Sequence, residues 1–419
     1  MKFQFTLFRK RIPSVGSILL ILVFVPMSCG KESVPPLVTL NSVEWDGQVV
    51  TYEATIVAGT EEAIGGLCWS ATNEIPTMND NVNSVDGSVN GDYGETLGGF
   101  NSSTTYYFRA FARTESGQEY SNVLQVSLGP GWKLVPGFST KTFSCASSPS
   151  NHVFHVAGNY EEHYRTVDGG TTWIGYNHVG SSYIHTIFMV DDNIGYLTAA
   201  NMIRKTTDGG VSWTDHASGP ATSSSSIWFT DALTGYLVSV NDQNVFKTED
   251  GGVNWVGYDS GIPAPQDLIT LYFVSDSEGF VVTNSGRVCK TIDSGLTWSE
   301  VTTSPIPVLV EQVFFQTSTV GFVVGEQGIY RTVDGGVNWN AVYTHSDSNV
   351  ELRAIDFADE FNGVCMGEDG LILMTDDGGI NWKEVGTPIP GYSGILQVEL
   401  KSSSFGYACG YGGVVLIYN

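Results

Sequence analysis

From residue 37 to about 128 apolar and polar side chains alternate with period two, and runs of turn-forming residues separate the segments. Such alternation predicts half-buried strands. The clearest is Tyr106-Tyr107-Phe108-Arg109-Ala110-Phe111-Ala112, with Tyr106, Phe108, Ala110 and Ala112 on one face and Tyr107, Arg109 and Phe111 on the other. Beyond Gly129-Pro130-Gly131 the pattern becomes periodic on a longer scale. An apolar strand comes first, then a Gly-aromatic or Gly-apolar strand such as Gly235-Tyr236-Leu237 or Gly279-Phe280-Val281. A third strand ends in Thr, and a short Asp-Gly turn leads to Trp and a fourth strand. No helical period follows the N-terminus.

The Thr-to-Trp segment recurs six times, at Thr166–Trp173, Thr206–Trp213, Thr248–Trp255, Thr291–Trp298, Thr332–Trp339 and Thr375–Trp382. Successive tryptophans (Trp173, Trp213, Trp255, Trp298, Trp339, Trp382) are 40, 42, 43, 41 and 43 residues apart. Four strands at that period predict a propeller. Within each copy the aspartate (Asp168, Asp208, Asp250, Asp293, Asp334 or Asp377) is placed to accept hydrogen bonds from turn amides, and a glycine supplies φ > 0. The tryptophan is expected to sit in the fourth strand as a packing anchor. Six equivalent acids spread round a ring cannot converge on one substrate, so they read as structural.

Trp132-Lys133-Leu134-Val135 looks like a fourth strand with no turn motif before it, while Val414–Asn419 looks like a third strand with none after it. Strand 131–135 is therefore expected to complete the last sheet and close the ring, leaving no exposed edge. Six full repeats and one composite give seven blades. The expected fold is all-β: a seven-bladed β-propeller over 131–419 and an N-terminal β-sandwich over 37–128.

The Thr-to-Trp motif resembles the Asp-box, or bacterial neuraminidase repeat. Residues 321–339, Gly-Phe-Val-Val-Gly-Glu-Gln-Gly-Ile-Tyr-Arg-Thr-Val-Asp-Gly-Gly-Val-Asn-Trp, resemble the repeat of the photosystem II assembly and stability factors. That resemblance implies a seven-bladed propeller that assists assembly of a membrane complex without catalysis. The factors dock partners through an arginine-rich patch; here the region carries Arg165, Arg204, Arg287, Arg331 and Arg353. Residues 37–128, with Gly66-Leu67-Cys68-Trp69-Ser70 and Ser121-Asn122-Val123-Leu124, resemble a fibronectin type III domain, a spacer or binding module.

Residues 1–28 join a basic segment to an apolar run, Val15–Val25, as an export signal does. Ser28-Cys29-Gly30 resembles a lipoprotein junction, with Pro26 where that family usually has Leu. It implies a lipidated Cys29, a tether over 29–36, and an outer-membrane protein at the cell surface held through Cys29 alone. The alternative is a secreted or periplasmic product. The formal net charge is −25, and −29 without residues 1–28. Such a surface repels nucleic acid and suits a cation or a basic partner. Cys68, Cys145, Cys289, Cys365 and Cys409 fall singly in strand-like runs and read as buried thiols.

A sialidase needs three converging arginines. The Arg11-Ile12-Pro13 signature lies in the export signal, and Arg165, Arg204 and Arg331 lead into the turn motif as framework or surface residues. Only Arg287 and Arg353 remain. The first strands of three successive repeats do carry charge towards the channel: Glu311 with Gln312; Glu351, Arg353 and Asp356; Gln397 and Glu399, with His185 as a further candidate. Glu311, Glu351 and Glu399 around Arg353 are thus the candidate catalytic set of a glycosidase, which works with two carboxylates. A solvated channel lining accounts for the same residues. His152, His155 and His163 do not have zinc spacing, and neither a metal nor a cofactor is expected. The leading reading is a non-enzymatic platform for a protein or glycan partner, the carbohydrate-active hydrolase is the rival, and calcium binding by the acidic surface is a third.

Overall fold

The computed structural model describes residues 34–419 apart from short stretches between strands, the longest being 217–223. The readings on the export signal and Cys29 lie outside the described residues. Residues 37–127 form two antiparallel sheets. One orders Leu37–Trp45, Val50–Val57 and Gly91–Leu97; the other orders Asn81–Ser84, Ile64–Ser70, Thr105–Arg113 and Gln118–Ser127. Their inward faces share one core in which Tyr52, Ala54 and Ile56 meet Leu67, Phe108 and Ala110, all fully buried. On the outer face Arg109 lies 4.5 Å from the centre of the Tyr120 ring.

Residues 132–418 form seven four-stranded antiparallel sheets among the described residues. The first strands are Phe143–Ser147, Ile184–Met189, Ser224–Phe229, Leu268–Phe273, Val310–Phe315, Leu352–Phe357 and Ile395–Ser402. Each touches the next, and the last touches the first, so the sheets form a closed cycle around these strands. The seam is made by Trp132–Leu134, which pairs with Val415–Tyr418 in the register Trp132 to Tyr418 and Leu134 to Leu416. Trp132 is 2% exposed and lies 5.0 Å from the Tyr418 ring.

Aromatic stacking between consecutive sheets explains the Gly-aromatic strands. The last residue of one first strand lies on the second-strand ring of the sheet before it: Phe229 on Tyr196 at 3.7 Å, Phe273 on Tyr236 at 3.9 Å, Phe315 on Phe280 at 3.5 Å and Phe357 on Phe322 at 4.6 Å. The same phenylalanine also covers the glycine opposite it. A Cβ at Gly235 or Gly321 would meet the ring at 2.4 or 2.5 Å. Glycine is required there for space.

In all six turn motifs the Thr hydroxyl donates to one Asp oxygen at 2.8–2.9 Å and accepts the N–H of the second glycine position. The residue four after the Thr-bound Asp donates its backbone N–H to that oxygen and its side chain to the other oxygen. Each acid is thus consumed by its own loop. The motif's first glycine has φ near +70°, and Ser294 adopts +59° in its place.

The tryptophans depart from the expected position: each lies one residue before the fourth strand, just after the turn that leads to it. Only Trp298 falls to 7% exposure; the others are partly buried. The turn itself sets this placement, because the indole N–H of Trp173, Trp255, Trp298 and Trp339 donates back to the carbonyl of the second glycine position.

Hydrogen bonds from Thr172, Asn254, Thr297 and Asn381 hold the carboxyls of Asp168, Asp250, Asp293 and Asp377 down at about 2. Lowered carboxyls stabilise the fold above their ordinary range, and that contribution is lost as pH falls through the folded value. Loss of the far-UV circular dichroism signal is therefore expected between about pH 4 and pH 2; an unchanged spectrum at the lower limit contradicts this account.

Candidate functional site

The first strands enclose a channel of about 690 Å³, and their sequence decides what it presents. In each, the pairing slips by one residue at the second position, as with Arg353 between Leu352 and Ala354. A bulge of this kind re-aims the extra side chain. It directs His185, Glu311 and Arg353 to the channel at the end reached by the connections between second and third strands. The fifth positions lie nearer the opposite end, on the side of the motif turns.

Arg353 is the hub of the first end. Its Nη1 lies 2.7 Å from Glu311, and its Nη2 contacts Glu351 and lies 2.9 Å from Glu368. Burial raises the Glu311 carboxyl, against the pull of the Arg353 charge. Glu368 escapes a reading based on strands because it sits in the connection Glu368–Gly370. The signal available was the charged pair inside Gly367-Glu368-Asp369-Gly370.

Glu399 does not join that cluster, contrary to the grouping expected from sequence. It occupies the fifth position of Ile395–Ser402, whereas Glu311 and Arg353 occupy second positions. Its Oε2 accepts the Ser148 N–H at 2.9 Å and pairs with Lys401 at 3.0 Å. Asp356, also at a fifth position, accepts the Leu400 N–H at 2.6 Å. Burial, with the charge of Glu399 beside it, pushes the Asp356 carboxyl up to about 7 despite that hydrogen bond and Lys401.

The other fifth positions are apolar or aromatic in four consecutive sheets. Phe188, Trp228, Tyr272 and Phe314 follow one another round the wall, with ring centres 5.2, 4.8 and 5.1 Å apart. The channel thus has an aromatic half and an acidic half at the same level. A second cavity of about 520 Å³ lies on the same side, lined by Phe314, Gln316, Arg331, Phe361 and Asp377 among others.

His155 and His163 are both fully buried and share a hydrogen bond of 2.9 Å, while His152 lies outside their strands. Burial, helped by Arg165, lowers the His155 imidazole to about 3, so it stays neutral. No group of three metal-ligating side chains occurs among the described residues. The five cysteines from Cys68 to Cys409 are free and buried. Arg204 pairs at 2.9 Å with the exposed Asp215.

Residues 303–403 match the family described as photosynthesis system II assembly factor YCF48. This segment contributes Glu311, Arg353, Asp356 and Glu399 to the channel. Among solved structures, YCF48 bound to D1 peptide is similar with a TM-score of 0.58 and 18% identity, over 69% of this chain and 94% of that one. YCF48 from Cyanidioschyzon merolae gives 0.59 and 15%, over 69% and 98% of the two chains. The WD40 β-propeller domain of Doa1 gives 0.55 and 12%, over 69% and 97%. The fold is a β-propeller. No curated protein sequence matches the chain. At these identities the structural likenesses speak for the propeller architecture alone.

Proposed function

We propose that this chain is a non-enzymatic platform for a protein partner, built as a seven-bladed Asp-box propeller carried by a fibronectin type III-like module and lipid-anchored through Cys29 at the outer membrane. The observation that carries the reading is the match of the assembly-factor family to residues 303–403, which supply much of the channel's charge. A structural neighbour, YCF48, is seen with a D1 peptide, which favours a polypeptide as the partner here. A stiff ring with a single channel and a broad face is suited to such docking.

The hydrolase alternative requires an acid and an ionised partner flanking a bond, roughly 5–9 Å apart. Glu311 and Glu351 are both tied to one guanidinium, and Glu399 is tied to Lys401. That arrangement disfavours the division of roles a glycosidase needs.

The test is affinity capture from the native membrane with the full chain and with Cys29→Ala. A polypeptide retained by both supports the platform, and loss of membrane association in the variant supports the anchor. Failure of both to retain a polypeptide, together with release of reducing sugar from a glycan panel, would replace the reading with the hydrolase.

A further inference from the structure

We infer that the turn-side half of the channel receives a lysine or arginine side chain from an extended segment of the partner, its stem on the aromatic arc and its charge towards Asp356 and Glu399. This rests on the platform reading and gives the partner a chemistry.

Three observations converge on it. The arc of Phe188, Trp228, Tyr272 and Phe314 is partly buried yet lines open volume, so its rings form an apolar wall within the channel. Aromatic faces attract cations, and the methylenes of a long basic side chain pack on them. Across the channel, at the same strand position, stand two carboxylates. Each receives a backbone N–H from the neighbouring sheet, that of Leu400 on Oδ2 of Asp356 and that of Ser148, just past its strand, on Oε2 of Glu399. Lys401 already shows that an ammonium group is accommodated there, since it reaches Glu399 from within the channel lining. Finally, the chain as a whole carries −25, which draws basic segments towards it.

The combination selects among ligands. A purely apolar segment would desolvate Asp356 and Glu399 while adding nothing to the Leu400 N–H and the Lys401 ammonium that hold them, and an acidic one would be repelled by them. A basic residue satisfies both halves at once. The Arg353 end is different in kind: its guanidinium is already surrounded by Glu311, Glu351 and Glu368.

The test uses a phage-displayed random dodecapeptide library selected on the full chain, followed by binding of enriched synthetic peptides to variants. Enriched peptides are expected to share a Lys or Arg flanked by apolar residues, and replacing that residue by Gln should weaken binding at least about ten-fold. Asp356→Asn with Glu399→Gln preserves both backbone hydrogen-bond acceptors and should cost a similar factor. Trp228→Leu, which leaves the carboxylates in place, should also weaken binding and serves if the double variant does not fold. Acidic or uncharged consensus peptides, or basic peptides indifferent to both sets of variants, overturn the inference. Failure to enrich any peptide overturns it too. In each of those cases a polypeptide retained in the membrane capture keeps the platform reading, so the two failures are distinguishable.

Discussion

Trp298→Ala is expected to lower the unfolding free energy by about 3–5 kcal/mol, whereas Trp382→Ala should cost about 1–2 kcal/mol. Both residues end the same motif, so sequence alone makes them equivalent. In the fold Trp298 is 7% exposed, meets Phe273 edge-on at 6.0 Å, and donates its indole N–H to Gly295 at 3.2 Å. Trp382 is partly exposed, and its indole nitrogen lacks a hydrogen-bond partner among the described residues. Removing Trp298 opens a cavity between packed rings; Trp382 also meets Phe357 edge-on at 5.8 Å, but it is less buried and its indole nitrogen forms no hydrogen bond to be lost, so its removal costs less. Urea unfolding followed by far-UV circular dichroism separates the two, and equal costs would show that burial does not rank these anchors.

Asp356→Asn should stabilise the protein at pH 8 and leave it little changed at pH 4. The folded state holds this carboxyl at about 7, above its ordinary 3.8, chiefly through burial. Between those values the folded chain binds a proton that the unfolded chain has released. The stability owed to the protonated form is therefore complete below about pH 4 and lost as pH rises through about 7. Above that, the ionised group burdens the fold by on the order of 4 kcal/mol. Asparagine keeps an acceptor for the Leu400 N–H and carries no charge. The variant's melting temperature should exceed that of the parent by several degrees at pH 8, the gap closing as pH falls. A gap that is constant with pH refutes the assignment. A carboxylate retained at such a cost fits a role in binding, where stability is commonly given up for function.

The turn motifs were legible in the sequence because their hydrogen bonds close within eight residues, from Thr166 to Trp173 for example, so composition and geometry coincide. The seam was legible for a related reason: Trp132 and Val414–Asn419 each carry half of a recognisable pattern. The channel was less so. Whether two charges meet depends on strand position as well as on which strand carries them. Glu311 and Glu399 both point inward, but one is second and the other fifth in its strand, which puts them at different levels. Glu368 was missed because no periodicity marks a three-residue connection. The aromatic arc was missed because Phe188, Trp228, Tyr272 and Phe314 come together only once four separate strands are aligned with their bulges included.

The seam between Trp132–Leu134 and Val415–Tyr418 also bears on how the ring is made. During synthesis Trp132 emerges long before Tyr418, and at about 5–20 residues per second the interval is roughly 15–60 s. Until then the strand that will form the outer edge of the last sheet waits without its one partner, and the first strand of the ring has no neighbour on one side. Closure is therefore a late, non-local step, slow in the way that high contact order makes folding slow. The period before it is when the nascent chain is most exposed to pairing with another copy of itself.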